Sequence, residues 1–373
     1  MIYADNAATT KLDVDAFERM KHFLLNDYGN ASQPYSFSRN ARKALKEARK
    51  TIADCIGALP EEIYFTSGGT ESDNWAIKGL LSDKDKRITI TSQIEHHAVI
   101  NACNALSRLG YPVSFLPVDK KGVILPETLE KAINEEVKLI SIMMVNNEIG
   151  TIEPIHELTE IAHAHGVLFH TDAVQAMGHI PVDVKVLGVD MLSASGHKFN
   201  APKGIGFLYI KNGVKIYPYA DGGAQEAGLR AGTENIASIV AMAAALKMNC
   251  DNMSSARNKL VRMENAFIQA LDDTGINYIR NGADEHIPGN INISIKGADG
   301  EMLLHRLDLK GICISTGSAC DSANTQISHV IKAIAVPKEY AEGTIRISFG
   351  RMNEEIDAKI VAQNLIDILK SVV

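Results

Sequence analysis

The chain has 373 residues, of which 46% are hydrophobic and 22% charged, a composition typical of a globular protein long enough for two domains. The formal net charge of -7 argues against a nucleic-acid surface, because such a surface needs clustered Lys and Arg to neutralise phosphates. The five cysteines include no CxxC pair, so we expect neither a disulfide framework nor a zinc knuckle, and their odd number favours a reducing, cytoplasmic compartment.

At the N-terminus, residues 1–10 read MIYADNAATT and lack the basic start and continuous apolar run of a secretion signal. We therefore expect mature sequence there. The richest apolar stretch, residues 236–248, is shorter than the roughly 20 residues that cross a bilayer, so we expect no membrane insertion.

Between residues 63 and 210, short β-branched runs alternate with amphipathic helical stretches. This pattern predicts an α/β domain built on a mainly parallel, seven-stranded sheet. The predicted strands are residues 63–66, 87–91, 113–116, 139–145, 167–171, 191–194 and 206–210. The predicted helices are residues 71–81, 98–109, 126–134 and 154–165, the last with proline in its first turn and Gly166 after its end.

After residue 233 the pattern changes, and a long helical region, 234–271, precedes a second set of strands and helices. The predicted strands are residues 290–295, 312–315 and 344–349, and the predicted helices are residues 300–309, 328–335 and 354–369. We interpret this part as a smaller α+β domain, with the division near residue 250, inside a helix rather than in a Pro/Gly linker.

Small residues follow the first of these strands, where residues 67–72 read SGGTES before a predicted helix. Gly69 allows close approach of a phosphate to the backbone, Thr70 adds a hydroxyl donor, and the helix N-terminus offers free N–H groups. The alternative is a turn that only connects a strand to a helix.

Asp172 and Lys198 follow two later strands of the same predicted sheet, at the edge where α/β proteins bind ligands. An acid there can bind the protonated pyridine nitrogen of pyridoxal phosphate, and a lysine can hold the cofactor as a Schiff base. Ser195 and His197 would add donors for the phosphate. The alternative for Asp172 alone is a helix N-cap.

His96 follows another predicted strand, where an imidazole can stack on a cofactor ring and move protons. Its alternatives are a histidine at a helix start and a zinc site shared with His163, His165 or His170. No ligand set has metal spacing, so we predict no metal. Asn147 offers an amide to the ring hydroxyl, or else belongs to a turn.

Cys320 lies in a run of small polar residues, 315–324, which predicts an accessible and reactive thiol. Cys313, among apolar neighbours, is instead typical of a structural cysteine. Arg346 lies on a predicted strand, where its guanidinium can bind a substrate carboxylate. The alternative is a surface arginine at a strand edge.

Together, DNAATT, SGGTESDN, EHHAV, VNNEIGT, HTDAVQ, SGHKFNAPKGIG, RAGTEN, STGSACDS and IRISFGR resemble the cysteine desulfurases, in the class V aminotransferase group of fold-type-I pyridoxal-phosphate enzymes. The resemblance spans nearly the whole chain. It implies conversion of L-cysteine to L-alanine, with the sulfur carried as an enzyme persulfide to an acceptor such as an iron–sulfur scaffold or a tRNA-thiolation protein. It also implies a homodimer, with a large domain of residues 12–250 and a small domain of residues 1–11 and 251–373.

The resemblance implies a role for each matching residue. Lys198 would be the Schiff-base lysine, Cys320 the persulfide carrier and His96 the residue stacked on the ring. The implied contacts are Gly69, Thr70, Ser195, His197 and the partner subunit's Thr233 at the phosphate, Asp172 at the ring nitrogen, Asn147 and Gln175 at the ring hydroxyl, and Arg346 and Asn30 at the substrate.

Two departures from the family pattern are present. Residues 29–38 read GNASQPYSFS and lack the histidine that family members commonly carry there, which affects the substrate contacts of this loop. Asp321 adjoins Cys320 and should raise the pKa of its thiol. The alternatives are a class V aminotransferase or a selenocysteine lyase, neither of which needs an attacking thiol, and a sulfur-relay scaffold without catalysis.

Overall fold

The structure, a computed structural model, describes residues 1–81, 86–316 and 327–372. The helices are α1 Val14–Leu25, α2 Arg39–Ile56, α3 Gly69–Lys78, α4 His97–Arg108, α5 Pro126–Ala132, α6 Ile155–Ala164, α7 Val184–Leu187, α8 Ile236–Asp251, α9 Met253–Asp272, α10 Gly300–Asp308, α11 His329–Ala333, α12 Lys338–Ala341 and α13 Glu355–Val372. The strands are β1 Ile2–Tyr3, β2 Ile63–Thr66, β3 Ile88–Ser92, β4 Val113–Leu116, β5 Val137–Ser141, β6 Leu168–Asp172, β7 Met191–Ser195, β8 Gly206–Ile210, β9 Tyr278–Arg280, β10 Asn290–Ile295, β11 Ile312–Cys313 and β12 Thr344–Ser348.

The large sheet has seven strands in the order β2-β8-β7-β6-β5-β3-β4. Strands β4, β3, β5, β6 and β7 run parallel to one another, whereas β8 pairs antiparallel with both β2 and β7. The prediction of a mainly parallel seven-stranded sheet is therefore confirmed. Because β3, β6 and β7 run in the same direction, their carboxyl ends lie at one edge of the sheet.

A second, antiparallel sheet has the order β12-β10-β9, and β1 pairs with β11 beside it. The apolar side chains around these strands form a cluster with those of α9, α10 and α13, separate from the cluster around the large sheet. Ala4 belongs to this smaller cluster, whereas α8 packs into the larger one. These two cores support our proposal of a large domain, 12–250, and a small domain formed by residues 1–11 and 251–373.

Most predicted elements are present within one to three residues of their expected ends, with two instructive exceptions. The predicted helical region 234–271 consists of two helices, α8 and α9, which meet at Asn252. The predicted strand 139–145 ends at Ser141 in the structure, although the backbone N–H groups of Ile142 and Met144 still bond to β6 carbonyls. Within the described ranges, none of the helices has both the length and the apolar character needed to traverse a lipid bilayer.

Helices α1 and α2 precede the predicted alternation and pack with α8 against the large sheet's core. Asp13 begins α1, since its side chain accepts from the backbone N–H groups of Asp15 and Ala16 at 2.9 and 3.3 Å. Gly57 ends α2 with a φ of 71°, a left-handed conformation that glycine adopts without strain.

Candidate active site

Lys198 lies in a short 3-10 turn, Gly196–Lys198, directly after β7. Its Nζ donates to the backbone carbonyls of Ala7 and Ala8 at 2.5 and 2.9 Å. The Nε2 of Gln175 donates to the same Ala7 carbonyl at 3.0 Å. The carbonyl of Ala7, in the N-terminal segment, therefore links Lys198 to Gln175, which lies 23 positions earlier in the sequence.

Asp172 is the last residue of β6 and is buried. Its Oδ1 accepts from the backbone N–H of Val174 at 2.9 Å. Burial raises its pKa to about 6, against the opposing effects of the Val174 N–H and of the Lys198 charge. The Val174 N–H and the Lys198 charge therefore offset only part of the cost of burying this carboxylate. A bound cation would offset more of that cost.

A layer of buried polar groups lies beneath Asp172. The His170 ring contacts the hydroxyls of Ser141 and Ser193 at 2.8 and 2.9 Å, and burial lowers its pKa to about 3. Burial, followed by the charge of Asp172, raises the pKa of Asp73 well above its usual range. Both shifts favour the neutral forms, so this layer adds little compensating charge to Asp172.

Gly69 begins α3, a helix that starts immediately beyond β2. A Cβ at Gly69 would lie 2.7 Å from Cγ2 of Val174 and 3.5 Å from Cβ of Ser195. The backbone N–H groups at this helix end, with Thr70, thus lie close to β7. Because Gly69 has no side chain, a phosphate can approach the free backbone N–H groups at this helix N-terminus closely.

His96 caps α4, where its Nδ1 accepts from the backbone N–H of Ala98 at 3.1 Å. Burial, then the Lys198 charge, lowers its pKa to about 4. The neutral ring therefore carries its proton on Nε2. His197, beside Lys198, likewise has a pKa lowered to about 4 by burial, and its Nδ1 lies 3.1 Å from the Thr9 hydroxyl.

Arg346 lies in β12 and is 2% exposed. Its Nη2 donates to Oδ1 of Asp5 at 2.7 Å and its Nη1 to the backbone carbonyl of Asn147 at 2.9 Å. Its Nε has no hydrogen-bond partner among the described residues. The sequence alternative of a surface arginine is therefore wrong, because the guanidinium is buried and held by Asp5 and by the backbone of Asn147.

The N-terminal segment connects Arg346 to Lys198. Ala7 accepts from Lys198 through its carbonyl and donates through its N–H to Oγ of Ser348 at 2.9 Å, in the same strand as Arg346. This connection and Asp5 were missed by sequence reasoning about individual residues. Only the DNAATT motif, which includes Asp5 and Ala7, indicated that the segment matters.

Two predicted site residues, Thr233 and Asn30, are not joined to this group by any hydrogen bond in the described chain. Thr233 is exposed, and the Asn30 side chain accepts from the backbone N–H of Ser32 at 2.9 Å within its own loop. Cys320 lies outside the described residues. Ser315, just before that segment, exchanges backbone hydrogen bonds with Arg346 at 2.7 and 3.0 Å.

The histidines of the zinc alternative are separately engaged. His163 contacts Asp190 at 2.9 Å, His165 contacts Glu130 at 3.4 Å, and His170 lies between two serines. Within the described ranges, no group of three or more His, Cys, Asp or Glu has the arrangement of a metal site.

A buried acid and a lysine at the carboxyl edge of a mainly parallel sheet, beside a glycine-rich helix start, define the class of pyridoxal-phosphate enzymes of fold type I. The family model described as Aminotransferase class-V matches residues 2–361. The cysteine desulfurase IscS of Dictyoglomus turgidum is 47% identical over 378 residues, which cover 100% of this chain and 96% of that protein. The chain belongs to the cysteine desulfurase family.

Solved structures agree with this assignment. A structure described as a NifS-like protein superimposes with a TM-score of 0.93 at 36% identity and covers 99% of each chain. One described as SspA in complex with cysteine has a TM-score of 0.84 at 34% identity and covers 94% of this chain and 99% of that one. The fold and the family of the chain are thus supported by independent comparisons.

Proposed function

We propose that the chain removes sulfur from L-cysteine, with pyridoxal phosphate as cofactor, and releases L-alanine. The observation that carries the proposal is the buried Asp172 carboxyl, which lies with the Lys198 amine at the carboxyl edge of the sheet. Membership of the cysteine desulfurase family supports the reaction, and the structure described as SspA in complex with cysteine supports the substrate.

The residues present fit the proposed cofactor at four points. Asp172 has a pKa raised by burial, so a protonated ring nitrogen would supply the positive charge that it lacks. The start of α3 at Gly69, with Thr70 and Ser195, would hold the phosphate. Lys198 would bind the aldehyde, and Gln175 and Asn147 would contact the ring hydroxyl. Bound there, the cofactor withdraws electrons from the amino acid and stabilises negative charge at its Cα.

Two groups of the chain would move protons. Lys198, held near the Ala7 and Ala8 carbonyls, would remove the proton from the substrate Cα once its amine is free to act. His96, stacked on the ring, is neutral at pH 7 because its pKa is about 4, and could accept a proton through a ring nitrogen or donate the one on Nε2. The low pKa suits a group that must not hold a permanent charge beside Lys198.

Arg346 would hold the substrate carboxylate, with Asn30 contributing from its loop. The guanidinium of Arg346 is held in place by Asp5 and by the backbone carbonyl of Asn147. A guanidinium fixed in this way loses little rotamer freedom when a carboxylate binds.

Cys320 would complete the reaction. Its thiolate attacks the substrate sulfur, an S–S bond forms as the Cβ–S bond breaks, and the carbon skeleton takes up protons to leave alanine. The product is a persulfide on Cys320, which an acceptor protein, an iron–sulfur scaffold or a tRNA-thiolation protein, then collects. We further propose a homodimer, in which the exposed Thr233 of one subunit reaches the phosphate of its partner.

The test is the Cys320→Ala variant, incubated with cysteine and a reductant. We expect unchanged visible absorbance of the bound cofactor and loss of sulfide release, because the nucleophile is gone while the cofactor pocket is intact. Mass spectrometry of the parent protein after cysteine exposure without reductant should find one extra sulfur on the peptide that contains Cys320.

Cys313→Ser is the matched control, since Cys313 lies in β11 only a few residues before Cys320 and should be dispensable. Full sulfide release by the Cys320→Ala variant would contradict the proposed nucleophile. Formation of a keto acid from cysteine by the parent enzyme would instead favour an aminotransferase, and a protein that binds no cofactor would favour a scaffold without catalysis.

A further inference from the structure

Two cysteines outside the active site lie on neighbouring helices, Cys55 on α2 and Cys250 on α8. Helical periodicity puts each of them on the face that its helix turns towards the other. On α2 this face is formed by Ala44, Ala48, Thr51 and Cys55, and on α8 by Val240, Ala243, Lys247 and Cys250. Both faces border one groove of about 760 Å³ between α1, α2 and α8.

The two thiols contact each other. A hydrogen bond from the Cys55 thiol is the main cause that lowers the pKa of Cys250, and the same bond, with burial, raises the pKa of Cys55. The charge of Lys247 also lowers the pKa of Cys250, although Asp251 opposes it and binds Lys247 at 2.9 Å. The pair is therefore asymmetric, with the thiolate favoured on Cys250.

Neither thiol is sealed from solvent, since both cysteines are only partly buried. Thr51, Lys247 and Asp251, which are close to the two cysteines in sequence, line the groove between the helices. Cys103 differs in both respects, because it is fully buried and burial raises the pKa of its thiol to about 12. Accessibility together with a favoured thiolate is the combination that makes cysteines reactive.

We propose that Cys55 and Cys250 are a redox site, which a low-molecular-weight disulfide such as oxidised glutathione converts to a reversible intrachain disulfide. The Cys250 thiolate attacks one sulfur of the oxidant, whose S–S bond breaks to release one thiolate. The Cys55 thiol then loses its proton and attacks the Cys250 sulfur of the mixed disulfide, which releases the second thiolate. Two protein thiols are oxidised and one disulfide is reduced.

The disulfide would join helices that support the active site. Asn249, next to Cys250, donates from its Nδ2 to the backbone carbonyl of Phe199 at 2.8 Å. Phe199 follows Lys198 directly. The redox site therefore lies one residue from a contact that holds the backbone beside the cofactor lysine.

The test uses the full chain with Cys320→Ala, which removes the reactive thiol predicted at position 320, since it would compete for the oxidant. After equilibration with oxidised glutathione, intact-mass spectrometry should show the loss of two hydrogens. Peptide mapping should find one cross-link, between the Cys55 and Cys250 peptides, that dithiothreitol reverses. Adding Cys55→Ser should leave a lasting glutathione adduct on Cys250, because no resolving thiol remains.

Cys103→Ser in the same background is the matched control and should retain the cross-link in full. Circular dichroism of each variant before oxidation establishes that it is folded. A lasting adduct on Cys250 while Cys55 is present, a cross-link between other cysteines, or a cross-link that forms only in urea would each overturn the proposal.

Discussion

Two buried residues of opposite charge in the candidate site come from different sheets. Asp172 ends a strand of the large parallel sheet, and Arg346 lies in the small antiparallel one. Asp172 has only a backbone N–H and the nearby Lys198 charge to offset its burial, whereas Arg346 is paired with Asp5 at 2.7 Å. The charge of Asp172 is therefore only partly compensated, whereas Arg346 already has the Asp5 carboxylate beside it.

This difference indicates how strongly ligands would bind at Asp172 and at Arg346. A ligand that brings a positive charge to Asp172 relieves an existing electrostatic cost, so binding there should be strong and pH-dependent. A carboxylate that approaches Arg346 must share the guanidinium with Asp5, so binding there should be weaker and readily reversed. Such an arrangement suits a cofactor that stays and a substrate that turns over.

The largest effect should follow from Asp172→Asn, which keeps the shape of the side chain and removes its charge. We expect kcat for alanine formation from cysteine to fall about 100- to 1,000-fold, because a preorganised charge at the reacting system is lost. The measurement is steady-state turnover with saturating cofactor. A fall of less than about threefold would contradict the proposed contact with the ring nitrogen.

The same variant tests the pKa of Asp172 in cofactor-free protein. The pKa rises from 3.8 to about 6 on folding, so the native chain holds this proton more tightly than the unfolded chain does. The stability contributed by this group is present below pH 4 and is lost as the pH rises through 6, by up to about 3 kcal/mol. In urea unfolding between pH 4 and 7, the parent should lose this much more stability than Asp172→Asn, because the other titrating groups are present in both proteins. Bound cofactor should diminish the difference.

The next effect concerns Arg346 and its partner. We expect Arg346→Gln to raise KM for cysteine about 100-fold, because a desolvated partner for the substrate carboxylate is lost. Asp5→Asn keeps the size of the side chain but removes the competing charge, and should lower KM about fivefold. A rise in KM for Asp5→Asn would show instead that Asp5 orients Arg346 more than it competes with the substrate.

Much of this arrangement could be predicted from the sequence, because it rests on local patterns. The apolar run before Asp172 and the one before Lys198 predict strands, and parallel strands bring their carboxyl ends to one edge. The structure confirms these positions, whereas the chemical roles of both residues remain predictions. The start of α3 at Gly69 was predictable for the same local reason.

Other features depend on contacts between distant parts of the chain. Asp5 and Arg346 are 341 positions apart, and no periodicity in either segment indicates that they pair. The low pKa of His96 arises from burial, which only the tertiary structure determines. The break between α8 and α9 at Asn252 has no proline or glycine to mark it, so one long helical region was predicted.

The smallest effect should follow from a change at the proposed phosphate site, the start of α3, where Gly69 lies next to Val174. In Gly69→Ala the new Cβ would lie 2.7 Å from Cγ2 of Val174, so one of the two must shift. We expect a stability loss of about 1–2 kcal/mol from overpacking, and cofactor affinity about tenfold lower because the helix N-terminus is displaced. Urea unfolding and equilibrium cofactor titration measure the two effects separately.

Val174→Ala is the control, and the double variant distinguishes crowding from phosphate binding. The smaller side chain gives the Gly69→Ala methyl room, so the double variant should regain the stability that Gly69→Ala alone loses. If the affinity for the cofactor returns as well, displacement of the helix by Val174 caused the loss. If stability returns but affinity does not, the methyl itself obstructs the ligand, which is expected where a phosphate must approach the Gly69 backbone closely. Unchanged affinity in Gly69→Ala would exclude this helix start as the phosphate site and leave Asp172 and Lys198 as the anchors of the cofactor.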